Sequence, residues 1–251
     1  SFRLEGDVPA GRRRALAKAL SIMKTQVCTP EGLIRRRWTT PDRWPHRAMW
    51  LWDSAFHAIG WRHADPALAR EMIEAVLETQ HPDGMIAITT TPSASHHLTQ
   101  PPVLALAAWL VDEAKPTPGW LESLYPRLCR YVEWDLRNRD SDGDGLAEWF
   151  ITEYVDCRSG ESGMDNCSRF DPAKPLNSVD FNVFLACECE TLARIADRRG
   201  DPVAASHWRA RHARLNALMN ERLWDADTGL YLDAFAGTTR HTGIPSCVAF
   251  Y

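Results

Sequence analysis

The spacing of the helical segments constrains the fold of this chain more than any other feature of its sequence. Apolar residues recur at helical spacing from end to end, whereas stretches that alternate as strands do are scarce. The predicted helices are residues 9–28, about 53–63, 66–80, 101–114, 119–138, 177–199 and 202–224. Short turns at residues 64–65, 115–118 and 200–201 alternate with long connections at residues 29–52, 81–100, 139–176 and 225–243.

This alternation predicts the architecture. In a succession of antiparallel helical hairpins, every second connection lies at the same end, so the four long connections are expected together. The second, fourth and sixth helices would form an inner ring, which suits the almost wholly apolar segment 101–114. The expected fold is all-α, an incomplete (α/α)6 toroid of helical hairpins, with about seven of its twelve helices in this chain. An ordinary helical bundle is the alternative.

The composition excludes several classes of protein. A net charge of −4, with 45% hydrophobic and 25% charged residues, gives no reason to expect nucleic acid or an anionic membrane as a partner. No stretch reaches about 18 apolar residues, the length that a helix needs to cross a bilayer. Seven cysteines without a Cys-x-x-Cys pair predict buried, reduced thiols rather than disulfides, and hence a reducing, cytoplasmic location.

Tryptophans beside an acid in the first long connection indicate sugar binding. The stretch RAMWLWDSAFHAIG places Trp50 and Trp52 directly before Asp53. An indole face packs on the apolar face of a pyranose ring, and a carboxylate accepts hydrogen bonds from hydroxyl groups. Tryptophan packing with Asp53 as a helix N-cap is the alternative. The second long connection ends near Gln100, where this side chain is expected to reach the open face.

The third long connection contains two polar motifs. DSDGDGLAEW resembles the start of a calcium loop, with Asp140, Asp142 and Asp144 at the required offsets. Ile151 stands where the bidentate acid belongs, so a glycine-rich turn is favoured over a metal site. ESGMDNCSRFD, residues 161–171, follows no apolar period yet includes Cys and Phe, as expected of a partly buried functional loop.

Taken together, these motifs resemble glycoside hydrolase family 63 and related (α/α)6-barrel glycosidases, particularly the glucosylglycerate and mannosylglycerate hydrolases. The matching pieces occur in the family's order and are MWLWDSAFHAIG, DGMI, TQPP, DGDGLAEW and ESGMDNCSRFD. The resemblance implies an enzyme that inverts the anomeric centre of a small α-glycoside, with a small carbohydrate as its partner and no metal or other cofactor. It identifies residues 1–251 as the N-terminal part of a single (α/α)6-barrel catalytic domain, and leaves self-association into a homo-oligomer open.

The resemblance also assigns roles within the predicted site. Asp165 matches the general acid, which must stay protonated near neutral pH, so partial burial beneath Trp and Met is expected. Glu161 would supply a like charge or fix the loop, and Gly163 would let the backbone approach the sugar. The residues expected to line the sugar pocket are Trp50, Trp52, Asp53 and Gln100.

The family's general base is a Glu that the resemblance places beyond residue 251. We therefore expect residues 1–251 to be inactive by themselves. A carbohydrate-binding or scaffolding toroid without catalysis is the alternative function, and the identity of the sugar and its aglycone is left open by the motifs.

Overall fold

The computed structural model describes residues 8–250, and its α-helices match the seven predicted ones. They are α1 (Ala10–Thr25), α2 (Leu51–Trp61), α3 (Pro66–Glu78), α4 (Leu104–Ala114), α5 (Trp120–Asn138), α6 (Val179–Arg198) and α7 (Pro202–Arg222). Two-residue strands lie outside the helices: β1 (Val27–Cys28), β2 (Trp38–Thr39), β3 (Met49–Trp50), β4 (Thr89–Thr90), β5 (Leu176–Asn177) and, after α7, β6 (Trp224–Asp225), β7 (Leu230–Tyr231) and β8 (Ala234–Phe235).

The helices form two layers, as predicted for the (α/α)6 toroid. In the inner layer α2 packs against α4, and α4 packs against α6. In the outer layer α3 packs on α2 and α5, and α7 packs on α6. Within residues 8–250 the layers form an arc that does not close into a ring. The all-α toroid is therefore confirmed over the bundle.

The long connections gather at one end, also as predicted. β3 of the first long connection pairs with β4 of the second, so that Trp50 lies opposite Thr89. β5 of the third pairs with β8 of the fourth, so that Asn177 lies opposite Ala234. A buried hydrogen bond from the Thr99 amide to Glu161 joins the second connection to the third. These cross-links turn separate loops into one surface.

Local sequence signals account for two of the helix starts. Asp65 and Asp201 cap α3 and α7, accepting hydrogen bonds from the amides of Leu68 and Ala204 at 3.0 Å, with a proline following each cap. This is the N-cap and first-turn pairing that the sequence predicts. α5 runs unbroken through Pro126, which is exposed, although a proline within a helix removes one backbone hydrogen bond.

Burial is uneven in two parts of the described chain, and the second contradicts a prediction. The apolar residues Leu16, Leu20 and Met23 of α1 are only half-buried, and α1 has no fully buried residue. The seven cysteines are free thiols, as expected, but they are not uniformly buried. Cys28 and Cys189 are buried and Cys129 and Cys167 half-buried, whereas the exposed ones are Cys157, Cys187 and Cys247. Within residues 8–250, no helix is both long and apolar enough to cross a membrane.

Candidate active site

The loop that carries Asp165 lies at the end of the molecule where the long connections gather. It runs between two 3-10 turns, Gly160–Ser162 and Ser168–Phe170. Asp165 itself is exposed, so the partial burial expected of it is wrong. Its neighbour Met164 packs against the hydrophobic core instead, which leaves Asp165 open to solvent beside the Cys157 thiol. The carboxylate is therefore accessible to a ligand.

Gly163 brings this loop against Trp52. The backbone of Gly163 has a φ of +67°, a left-handed conformation that glycine adopts without steric cost. A Cβ atom at this position would lie 2.2 Å from Cζ2 of Trp52. The close backbone approach expected at Gly163 is thus made to the Trp52 indole. The ring that is predicted to stack on the sugar therefore contacts a residue two positions before Asp165 in the chain.

Gln100, at the end of the second long connection, lies against the first turn of α2. Only 2% of it is exposed, so the prediction that its side chain reaches the end of the molecule where the long connections gather is wrong. Its Oε1 accepts a hydrogen bond from the Trp52 backbone amide at 3.2 Å, and its carbonyl accepts one from the Tyr131 hydroxyl at 2.9 Å. The first of these bonds satisfies an amide that lacks a partner within the helix. Gln100 therefore positions Trp52.

Trp50 and Asp53 flank the first turn of α2. The half-buried Trp50 donates its indole N–H to the His46 carbonyl at 3.1 Å, and its backbone is the N-cap of the helix. Asp53 lies inside the helix, so the alternative that made it the N-cap is wrong. Burial raises the pKa of Asp53, against the opposing effect of hydrogen bonds from its own amide and the Trp52 side chain. A half-buried carboxyl group with a raised pKa is typical of functional sites.

Glu161 fixes the loop, which was one of the two roles considered for it. It is wholly buried. Its Oε1 accepts from the Thr99 amide and its Oε2 from the Phe150 amide, both at 3.0 Å, while the Arg139 guanidinium donates to both oxygens. The loop is thereby tied to the second long connection and to the end of α5.

A buried ion network at the other end of the loop was not predicted. The wholly buried Arg169 donates to Asp180 at the start of α6 and to Asp233 after β7, with nitrogen–oxygen distances of 2.5 and 3.0 Å. Trp149 also donates its indole N–H to Asp180 at 3.0 Å. Arg169 lies in the ESGMDNCSRFD motif, but no sequence rule pairs it with Asp233, 64 positions further along the chain.

The three acids of the DSDGDG turn, residues 140–145, also come together. The carboxylates of Asp140, Asp142 and Asp144 offer ligand atoms that all lie within 4.8 Å of one another, a donor set suited to a hard cation. Arg222 donates to Asp144 at 2.6 Å, and the Gly237 amide donates to Asp142. The turn is thus tied to the end of α7 and to the fourth long connection.

Comparison with known proteins assigns this fold and loop end to a family. The family model described as the mannosylglycerate hydrolase MGH1-like glycoside hydrolase domain matches residues 45–251. The mannosylglycerate hydrolase of Thermus thermophilus is 30% identical over 170 aligned residues, which cover 58% of this chain and 39% of that protein. The glucosylglycerate hydrolase of Mycolicibacterium hassiacum is 29% identical over 167 aligned residues, which cover 53% of this chain and 35% of that protein. The chain therefore spans well under half the length of these relatives.

A solved structure shares the fold. The crystal structure of the family 63 mannosylglycerate hydrolase from Thermus thermophilus in complex with glucose matches with a TM-score of 0.75 and 22% identity, covering 93% of this chain and 70% of that one. The family match extends over most of the sequence, including every residue placed in the candidate site. The chain belongs to the mannosylglycerate hydrolase MGH1-like glycoside hydrolase family.

Proposed function

We propose that the protein is an inverting α-glycosidase acting on a small glucosyl- or mannosyl-linked glycoside such as a glycosylglycerate. Asp165 is the general acid, and the sugar site comprises Trp50, Trp52, Asp53 and Gly163, with the buried Gln100 holding the Trp52 backbone in place. The observation that carries the proposal is the packing of Gly163 on the Trp52 indole, two residues before an exposed carboxylate. Family membership, with both mannosylglycerate and glucosylglycerate hydrolases among the relatives, supports this substrate class.

The chemistry follows from these positions. A pyranose stacked on Trp52 would hold its glycosidic oxygen near Asp165, which donates its proton to the leaving oxygen as the bond breaks. Inversion requires a second carboxylate about 6.5–9.5 Å from the first, which removes a proton from the attacking water. The proposal assigns that role to a carboxylate outside residues 1–251. A carbohydrate-binding toroid without catalysis is the second candidate. The exposure of Asp165 favours it, because a general acid is expected to be partly buried so that it stays protonated near neutral pH.

The test is Asp165→Asn in the full-length product of the gene. Turnover of glucosylglycerate or mannosylglycerate should fall about 10²–10⁴-fold, the usual contribution of a positioned proton donor. A nitrophenyl α-glycoside needs no proton on its leaving group, so the variant should recover much of its rate on that substrate. Asp165 is exposed, so the melting temperature should not change.

Asp171→Asn is the matched control, because Asp171 is an exposed acid in the same motif. It should leave turnover unchanged on both substrates. Sugar binding by a wild-type protein that hydrolyses neither substrate would establish the second candidate. Equal fractional losses on both substrates with a lowered melting temperature would show that Asp165 is structural.

A further inference from the structure

The Glu161 carboxylate is a buried charge four residues before Asp165. Each of its oxygens accepts one backbone amide and one nitrogen of Arg139, so all its contacts are hydrogen bonds to the protein. A bidentate pair of this kind fixes the orientation of the carboxylate as well as its position. Because Glu161 is wholly buried, it cannot touch a sugar.

The partners of Glu161 connect it to Trp52 by a second route. The Thr99 amide donates a hydrogen bond to Glu161, and Thr99 directly precedes Gln100 in the chain. The Gln100 side chain in turn accepts a hydrogen bond from the Trp52 amide. The loop then returns from the Trp52 ring through Gly163, two residues after Glu161. Glu161 is therefore linked to Trp52 twice, once through Thr99 and Gln100 and once through Gly163. A displacement of Glu161 therefore changes the position of Asp165 relative to the Trp52 indole.

We propose that Glu161 is a positioning residue that sets the distance between the acid Asp165 and the sugar platform Trp52. The inference rests on the proposed function. Loss of the Glu161 contacts should lower turnover about 10–10²-fold, because a misplacement on the order of 1 Å costs about this much when reacting groups must be aligned. The loss should arise through Asp165, and it should disappear where Asp165 no longer acts.

A double-mutant cycle tests this dependence. Glu161→Gln keeps the shape of the side chain, but it replaces one acceptor oxygen with a donor that opposes the amides and Arg139. Turnover of a glycosylglycerate is measured for Glu161→Gln, Asp165→Asn and the double variant. The double variant should be no slower than Asp165→Asn alone, and Glu161→Gln should recover on a nitrophenyl α-glycoside. Losses that multiply in the double variant and are equal on both substrates would overturn the proposal.

Glu188→Gln is the matched control. Glu188 is also wholly buried, and it lies outside the loop that carries Asp165. Its carboxylate accepts hydrogen bonds from the amides of Ala105 and Leu106 at 2.8 and 2.9 Å. Its substitution should alter the melting temperature but not the ratio of rates on the two substrates. If Glu161→Gln does not fold, Arg139→Lys keeps the charge and removes the bidentate geometry, and the same cycle with Asp165→Asn applies.

The outcomes separate the two proposals. An inactive wild-type protein, or an Asp165→Asn variant with wild-type turnover, would overturn the proposed function. An active protein in which Asp165→Asn behaves as a lost general acid, but Glu161→Gln is additive with it, would overturn the positioning role alone.

Discussion

At the scale of single residues, Gly163 is the point where the site depends most directly on one hydrogen atom in place of a side chain. Its φ is in the left-handed region and its Cα faces the Trp52 ring. Backbone conformation and steric contact therefore both select glycine here. Gly143 shares the first property without the second, since its φ is +73° and an added Cβ would meet nothing within 4 Å.

The comparison of Gly163→Ala with Gly143→Ala separates these two causes. Both variants should lose about 1–2 kcal/mol from the left-handed conformation. Gly163→Ala should lose about 1–3 kcal/mol more, because its Cβ overlaps the Trp52 indole. Urea unfolding of the two variants beside the wild type measures the difference. Equal losses would mean that Trp52 moves away at no cost.

At the scale of secondary structure, the inner helices begin on caps that come from distant parts of the chain. The outer helices α3 and α7 each begin after an aspartate N-cap that directly precedes the helix. In the inner helices α2 and α4, first-turn amides instead donate hydrogen bonds to Gln100 and to Glu188 of α6. Glu188 accepts two amides of the first turn of α4, which would otherwise be buried without partners. The inner layer is thus held together by polar contacts as well as by apolar packing.

Glu188 should make the stability of the protein depend on pH. Burial raises its pKa to about 7, against the lowering by the α4 amides, from an ordinary value of 4.5 in the unfolded chain. Between these values the folded protein holds a proton that the unfolded chain has lost. Its contribution to the free energy of unfolding is therefore full below pH 4.5 and decreases as the pH rises to about 7, by about 1–3 kcal/mol.

Urea unfolding at intervals from pH 4.5 to 7.5 measures this slope in the wild type and in Glu188→Gln. The wild-type curve should fall more steeply with pH than that of the variant, because glutamine does not titrate. Parallel curves would show that Glu188 has the same pKa in the folded and unfolded states.

At the scale of the whole molecule, the Arg169 network connects the loop that carries Asp165 to the inner layer of helices and to the fourth long connection. One guanidinium contacts two carboxylates, Asp180 and Asp233, and all three groups are almost completely buried. Burial and the nearby Asp180 raise the pKa of Asp233, whereas Arg169 opposes them. The network therefore leaves one of its two negative charges uncompensated by Arg169.

Arg169→Met should destabilise the protein by about 3–5 kcal/mol, because it leaves two buried carboxylates without their cation. Adding Asp180→Asn and Asp233→Asn to the same chain should restore part of the loss, since the charges are then removed together. The free energy of unfolding of the single and triple variants is the measurement. A triple variant less stable than Arg169→Met would show that the acids stabilise the fold by other contacts.

The seven helices, the two-layer toroid and the gathering of the long connections could all be predicted from the sequence. Helix periodicity and the Asp–Pro caps involve residues at most four positions apart, and such local preferences are legible without a structure. The motifs likewise indicated which stretches form the site. They predicted Trp52, Gly163 and Asp165 as members of the candidate site, although they did not show that the first two touch.

How those residues are held could not be predicted, because it depends on contacts between segments that are distant in the chain. The side chain that accepts a hydrogen bond from the Trp52 amide, in the first turn of α2, belongs to Gln100, 48 positions further along the chain, and α2 begins two residues earlier than predicted. The exposure of Asp165 and the burial of Glu161 depend on contacts with partners as far as 62 positions away. A buried polar group needs a partner, but its residue type does not specify where along the chain that partner lies. That choice is made when the long connections pack against one another.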